Sequence, residues 1–285
     1  MEGIPEPEPA TSGTATRASH HSLSGTRPIG WWALPPVLGL FAALWGPAVF
    51  RAVRLRLGLS PGQPPPAQSA SDLEVVVTAA AVLVLAAAYR WLRGPFSVTL
   101  TSWHRTAVST GWQACAYMLF TNLGFVTGAL LAETGWLTRL PVVGEEISFP
   151  VVEPRLADLL DMTLAGPLEE LALVGIPLLL FGRGRGLIAF CAVLVALRVS
   201  FHVYYGISTT VGLILWAGVA LWMYLSTGRI LPLVLGHSVN NLLSFLVLDA
   251  LPGSAFSTTF KVVKAVLLGV GAVCTLWALR RRRSC

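Results

Sequence analysis

Charge is scarce in this chain. Only 12% of its 285 residues are Asp, Glu, Lys or Arg, 54% are hydrophobic, and the mean hydropathy is +0.69. A soluble domain carries about 25% charged residues. So few charges cannot cover a water-facing surface, which excludes a soluble globular domain and makes lipid the solvent. Cysteine is sparse as well, limited to Cys115, Cys191, Cys274 and Cys285. Three of these lie in apolar runs, where they read as small buried hydrophobes, and their spacing fits neither a metal site nor a disulfide framework. Cys285 is the last residue, so it cannot be the prenylated cysteine of a C-a-a-X tail. Basic patches interleaved with aromatics are missing, which excludes nucleic acid as a partner despite a formal net charge of +6. No fixed-period repeat is evident, and the inverted repeat expected of a secondary transporter is missing with it.

Long apolar runs fill the rest of the chain. Residues 1–29 are rich in Glu, Pro, Ser, Thr, Gly and His and are expected to form a disordered polar tail. His20 and His21 lie in that tail as solvated groups. The first apolar run starts late and lacks a short apolar core with a small-residue exit, so no cleavable signal peptide is expected. Residues 30–285 are expected to form one membrane-embedded domain. A spanning helix needs about 20 mostly apolar residues. Runs of this kind cover 31–50, 73–92, 107–132, 156–181, 187–205, 208–226, 230–249 and 260–279. The expected fold is therefore all-α, a polytopic membrane bundle of about eight transmembrane helices. The first run holds Pro35-Pro36 and Gly46-Pro47 and is expected to be kinked or partly re-entrant. Residues 60–66 read as an extended linker, 133–154 as a polar, mostly acidic loop, and the turn before 208 as very tight.

Basic residues orient the bundle. With a cytoplasmic N-terminus, Arg90, Arg93, Arg105, Arg183, Arg185, Arg229 and the tail Arg280–Arg283 fall inside, and the acidic loop falls outside. Arg51, Arg54 and Arg56 disagree, which means either that 51–59 lies flat at the interface or that the first run does not span. The expected location is the cell membrane, with multiple passes and both termini cytoplasmic. Membrane lipids are the expected surroundings.

Against this background, ionisable residues inside apolar runs mark a functional site, because burying them without a partner costs several kcal/mol. Glu169 and Glu170 are neighbours in Gly166-Pro167-Leu168-Glu169-Glu170-Leu171. On a helix they point about 100° apart, which implies a division of labour: one carboxylate faces a cavity, the other orients a neighbour or ties helices together. Pro167 frees a carbonyl and bends the axis, which is tolerable only where polar groups or water satisfy it. Arg198 and His202 are four residues apart and share a face, as do His237 and Asn241. Arg198 needs an anion, and Glu169, Glu170, Asp158 and Asp161 are the available ones.

Together these groups suit hydrolysis. A carboxylate and a histidine can deprotonate water, and a second histidine and a carboxamide can stabilise the oxygen of a tetrahedral intermediate. Ser200 and Ser238 neighbour the histidines, but side chains one residue apart do not face each other, so no serine triad is read. Bridging acids in a transporter or scaffold, and interhelical hydrogen bonding by small polar groups, account for the same residues without chemistry.

The order Glu169-Glu170, then His202 about one helix later, then His237-x-x-x-Asn241 resembles the CAAX prenyl protease 2 group. This is the family of CAAX proteases and bacteriocin-processing enzymes, shortened to CPBP and formerly called Abi. The resemblance covers residues 155–250, the catalytic half. It implies an intramembrane endopeptidase with Glu169 and His202 activating water, His237 and Asn241 forming the oxyanion hole, and Glu170 as a supporting acid. Its substrates would be membrane-associated or lipidated peptides or proteins. Two departures stand out: Val174 replaces the arginine of E-E-x-x-x-R, and Arg198 replaces the phenylalanine of F-x-x-x-H. Arg198 is expected to supply from the next helix the cation missing at 174. No cofactor is expected. Zinc held by the two acids and two histidines is the alternative, but the H-E-x-x-H spacing is absent. A non-catalytic immunity or regulatory protein on the same fold is the alternative function. One difficulty attends the site: His202 falls late in its run and His237 early, which separates them by roughly half the hydrocarbon core if both helices start level.

Overall fold

A computed structural model describes residues 27–56, 71–94, 100–134, 155–203, 207–247 and 255–283. Among these the chain is all-α. After a short 3-10 turn at Gly30–Ala33 come α1 (Leu34–Arg56), α2 (Asp72–Arg93), α3 (Leu100–Glu133), α4 (Leu156–Glu170), a π-helical turn (Leu171–Gly175), α5 (Ile176–Phe181), α6 (Leu187–Ser200), α7 (Ile207–Thr227), α8 (Leu231–Phe245) and α9 (Ala255–Arg283). The π turn joins α4 and α5 into one span. Six spans are long and apolar enough to cross a membrane: Gly30–Phe50, Asp72–Arg93, Val108–Glu133, Leu156–Phe181, Ile207–Thr227 and Thr258–Ala278. The polytopic helix bundle read from the apolar runs is the observed fold, and the protein is an integral membrane protein.

One run is shorter as a helix than as apolar sequence. The 187–205 run is helical over 14 residues, or roughly 21 Å against a core of about 30 Å, while the 230–249 run is α-helical over 15 residues and continues as π-helix to 247, the last described residue there. α6 ends at Ser200, where the backbone turns through residues 201–203. α8 begins after Gly228, whose positive φ of 64° ends α7 and whose N–H donates to the Tyr224 carbonyl at 2.7 Å. The first run differs in the other direction. α1 is a continuous helix through Pro47, not a re-entrant segment. Pro35 and Pro36 sit in its first turn, where a missing N–H breaks no helical bond. Arg51–Arg56 continue this helix. The tail up to residue 26, the 60–66 linker, residues 135–154 of the acidic loop and residues 204–206 lie outside the described residues. The tail's last residues are held: the Ile29 N–H donates to the Leu180 carbonyl at 2.8 Å.

α3 is the central strut and packs on α7, α8 and α9, while α4 packs on α8 and α2. In lipid, helices gain little from hydrophobic burial and associate through close backbone approach. Gly124 and Gly128 of α3 meet Gly212 of α7. A Cβ on Gly212 would lie 2.2 Å from the Gly124 carbonyl oxygen and 2.6 Å from the Gly128 nitrogen. This Gly124-x-x-x-Gly128 contact was not anticipated from the sequence. The buried core gathers around Leu173, Leu178, Phe190, Leu213 and Tyr224, and Leu83, Val84, Trp91 and Ile188 face outward.

Gly212→Ala is expected to lower the detergent-solubilised protein's stability by about 1–3 kcal/mol, because backbone atoms must shift. Gly218→Ala, with nothing within 4 Å of the added carbon, is expected to be neutral. Paired thermal unfolding scans distinguish them.

Candidate active site

The site is built where α4 is interrupted. Pro167 has no N–H, so the carbonyl four residues earlier, that of Thr163, loses its helical donor. The Ser238 hydroxyl on α8 donates to that carbonyl at 2.7 Å. Gly166 permits the approach, since a Cβ there would lie 2.3 Å from Ser238 Oγ. One turn later come Glu169 and Glu170, and directly after them the π turn, an insertion frequent at functional sites.

Glu170 is fully buried and accepts from three other helices. Arg198 of α6 pairs with both of its oxygens, through Nη1 to Oε2 at 3.1 Å and through Nη2 to Oε1. The Tyr117 hydroxyl of α3 donates to Oε1 at 2.5 Å, and His237 Nδ1 of α8 lies 2.9 Å from the same oxygen. Arg198 Nη2 also donates to the Tyr117 oxygen at 3.1 Å. The guanidinium stacks over Trp216 of α7, its Cζ 3.9 Å from the ring centroid. Of the four anions available to Arg198, Glu170 takes the direct contact, and Asp158 instead pairs with Arg155. Val174 is fully buried in apolar surroundings.

Glu169 is engaged differently. It is 7% exposed. Its Oε2 lies 3.6 Å from Arg198 Nη2 and 3.9 Å from His237 Nε2, yet accepts no hydrogen bond. Four buried side-chain atoms among the described residues lack a hydrogen-bond partner, and three of them, Glu169 Oε2, Arg198 Nε and Trp216 Nε1, belong to this cluster. Buried polar groups are normally paired, so an orphaned acceptor beside two orphaned donors marks a place for water or substrate.

Hydrogen bonding sets the histidine tautomers. A carboxylate held by a guanidinium only accepts, so His237 Nδ1 carries the proton and donates to Glu170, turning Nε2 toward Glu169. His202 follows α6 on a turn. Its Nδ1 donates to the Arg198 carbonyl at 2.9 Å, which caps the helix end and turns Nε2 away from it. Both imidazoles stand edge-on to Trp216, with centroids at 5.5 Å for His202 and 5.3 Å for His237. Both histidines thus reach one indole although His202 follows the end of its helix and His237 lies near the start of α8.

Of the residues singled out by sequence, the structure brings together Glu169, Glu170, Arg198 and His237, with His202 on the same tryptophan. Asn241 is half-buried and makes no side-chain hydrogen bond among the described residues. Its neighbour Asn240 is the buried carboxamide, accepting from Asn122 Nδ2 of α3 at 2.7 Å. Sequence reasoning missed Tyr117, Asn122 and Trp216. The available signal was polar residues inside an apolar run, the same signal that exposed the acids. It also missed Lys264 of α9, which donates to Ser244 at 2.8 Å, while Ser244 donates to the Asn240 carbonyl at 2.7 Å.

Comparison with protein families finds that residues 153–243 match the model described as Rce1-like, type II CAAX prenyl endopeptidase. Over these residues, about a third of its length, the chain is similar to that family. It runs from the start of α4 through most of α8 and contains every residue singled out by sequence. The match supports the CPBP or CAAX-protease family and, as a class, a CAAX-type intramembrane endopeptidase. Neither the curated proteins nor the solved structures compared with the chain give a match.

Arg198→Met strands the Glu170 charge and is expected to destabilise the bundle by about 3–5 kcal/mol. Tyr117→Phe removes one of several donors and is expected to cost about 1.5–3 kcal/mol. Unfolding midpoints in one detergent, ranked wild type, Tyr117→Phe, Arg198→Met, check both.

Proposed function

We propose that the protein is an intramembrane endopeptidase that hydrolyses peptide bonds of membrane-associated or lipidated substrates with a glutamate-activated water. The observation that carries this reading is the buried Oε2 of Glu169, which accepts no hydrogen bond, beside a fully engaged Glu170. Glu170 accepts from Arg198, Tyr117 and His237, which commits it to positioning. Glu169 retains an open acceptor for the proton of an attacking water.

In the proposed reaction Glu169, with His202 presenting Nε2, removes a proton as the water oxygen adds to the scissile carbonyl. Negative charge then develops on the carbonyl oxygen. His237 and Asn241 act as its donors. Since His237 Nδ1 is committed to Glu170, only the doubly protonated imidazole offers a donor at Nε2. The proton held by Glu169 passes to the leaving amine as the C–N bond breaks.

No metal enters this scheme. Among the described residues no group of three His, Cys, Asp or Glu side chains converges as a metal site. The Arg198 guanidinium already lies within 3.6 Å of Glu169 and 3.4 Å of His237, where a second cation would be repelled. We further assign the protein to the cell membrane with both termini cytoplasmic. Arg183 reaches the Leu225 carbonyl and Tyr89 bonds Tyr224 at 3.2 Å, which supports this assignment by gathering Arg90, Arg93, Arg183, Arg185 and Arg229 at one end of the bundle.

A peptide-library proteolysis assay in detergent tests the proposal. Glu169→Gln is expected to lower kcat by about 10²–10⁴ with an unfolding midpoint near wild type, His202→Ala to lower kcat as much with a lower midpoint because its side chain also caps α6, and Asn241→Ala by about 10²–10³. Full activity in Glu169→Gln would rule the mechanism out, and absence of hydrolysis in the wild type across the library would favour a non-catalytic protein. Activity is expected to survive exhaustive chelation; loss restored by added zinc would place a metal in the reaction.

A further inference from the structure

A cavity of about 740 Å³ lies between α3, α7 and α9, on the side of α3 adjoining the face that carries Tyr117. Its size is that of a small-ligand pocket, which typically spans about 300–1,000 Å³. Its walls are apolar, with Val108, Phe120, Met223 and Val273 among them. Its rim holds three tryptophans, Trp112, Trp222 and Trp277, which are 44%, 51% and 54% exposed. Tryptophan gathers at the level of lipid headgroups, so the mouth opens toward the bilayer interface.

Two polar features break this apolar lining. Arg229, at the junction of α7 and α8, donates through Nη1 to the Ser109 hydroxyl at 2.5 Å, and its N–H donates to Thr227 Oγ1 at 3.2 Å. Ser109 and Thr227 both line the cavity. Among the described residues no carboxylate forms an ion pair with Arg229. A guanidinium at an apolar mouth with only hydroxyl partners is suited to an anion. The second feature is Gln113 Oε1, a lining atom buried without a hydrogen-bond partner. It is the one such orphan among the described residues that lies outside the Glu169 cluster, and it calls for a donor such as a hydroxyl.

We propose that this cavity binds an anionic phospholipid of the surrounding bilayer, its acyl chain between α3, α7 and α9 and its phosphate at Arg229. The rim fixes the headgroup at the interface, the walls take the chain, and Gln113 accepts from a headgroup hydroxyl, such as those on the terminal glycerol of phosphatidylglycerol. The site is separate from Glu169 and Glu170 and does not depend on hydrolysis.

Native mass spectrometry of the full chain in detergent tests this, with phosphatidylglycerol and phosphatidylcholine of identical chains as probes. Wild type is expected to retain phosphatidylglycerol roughly fivefold better, the factor set by one basic group near an anionic headgroup. Arg229→Gln is expected to remove the preference. Val273→Trp, which fills the space with an indole, is expected to reduce retention of both lipids. Equal retention by wild type, or a preference that survives both variants, overturns the proposal. Should a variant fail to fold, wild type is labelled with phosphatidylglycerol carrying a photoreactive acyl chain. Labels concentrated in 108–120, 222–227 and 273–278 support the site, and labels spread evenly over the bundle overturn it.

Discussion

A carboxylate and a guanidinium meet in the interior of a bundle whose outer face belongs to lipid. Taking either ion out of water costs several kcal/mol after relaxation, and the loss is offset only when the remaining lone pairs and protons are also satisfied. Glu170 meets that condition by drawing one donor from each of three helices: Tyr117 from α3, Arg198 from α6 and His237 from α8. The pair therefore fixes where four helices stand relative to one another, in a medium where apolar contact alone gives them little reason to associate. It also separates two chemically identical neighbours. Glu170 is held by the cation, so the adjacent Glu169 is left with a buried oxygen and no donor. The asymmetry comes from helix geometry, because side chains about 100° apart cannot share one cation equally.

The backbone around this pair shows how a defect is accommodated. Proline removes a helical bond, glycine removes a side chain, and each alone weakens a helix. Here Gly166 lets α8 close in and Ser238 replaces the donor that Pro167 removed. The exchange locks α4 to α8 one turn before the acids, which is where His237 must be brought to Glu170. The π turn that follows shifts the register of α4 into α5, so the residues that begin it, Leu171–Val174, pack into the apolar core.

Much of this was legible in the sequence because lipid makes polarity conspicuous. Acids, an arginine and histidines in apolar runs stood out without reference to any fold, and their spacing fixed which of them share a helix face. The assignment of Arg198 to an acid of the preceding helix followed from the same cost argument. Less legible were features that depend on one helix meeting another. Tyr117 and Trp216 are ordinary membrane-helix residues until α3 and α7 turn them toward Glu170 and Arg198. Gly124 and Gly128 are spaced as a packing motif, yet only the position of Gly212 shows that they are one. Helix ends were least legible, since apolar sequence continues past Ser200 where the helix does not, and His202 closes α6 through its own side chain.

The Rce1-like segment begins at 153, so α3 lies outside it, yet α3 completes it. Tyr117 supplies a donor to the buried carboxylate, and Asn122 holds Asn240, the residue before Asn241. Within the matched residues Arg198 and His237 offset much of the desolvation cost of Glu170, and Tyr117 adds the donor that only α3 can supply. Gln113, Ala116 and Phe120 on the adjoining face of α3 line the cavity at Arg229. Ala116 and Tyr117 are consecutive, about 100° apart on one rigid helix. The cavity and the Glu170 cluster therefore share one helix as a wall, and close packing along α3 resists independent adjustment of its two sides.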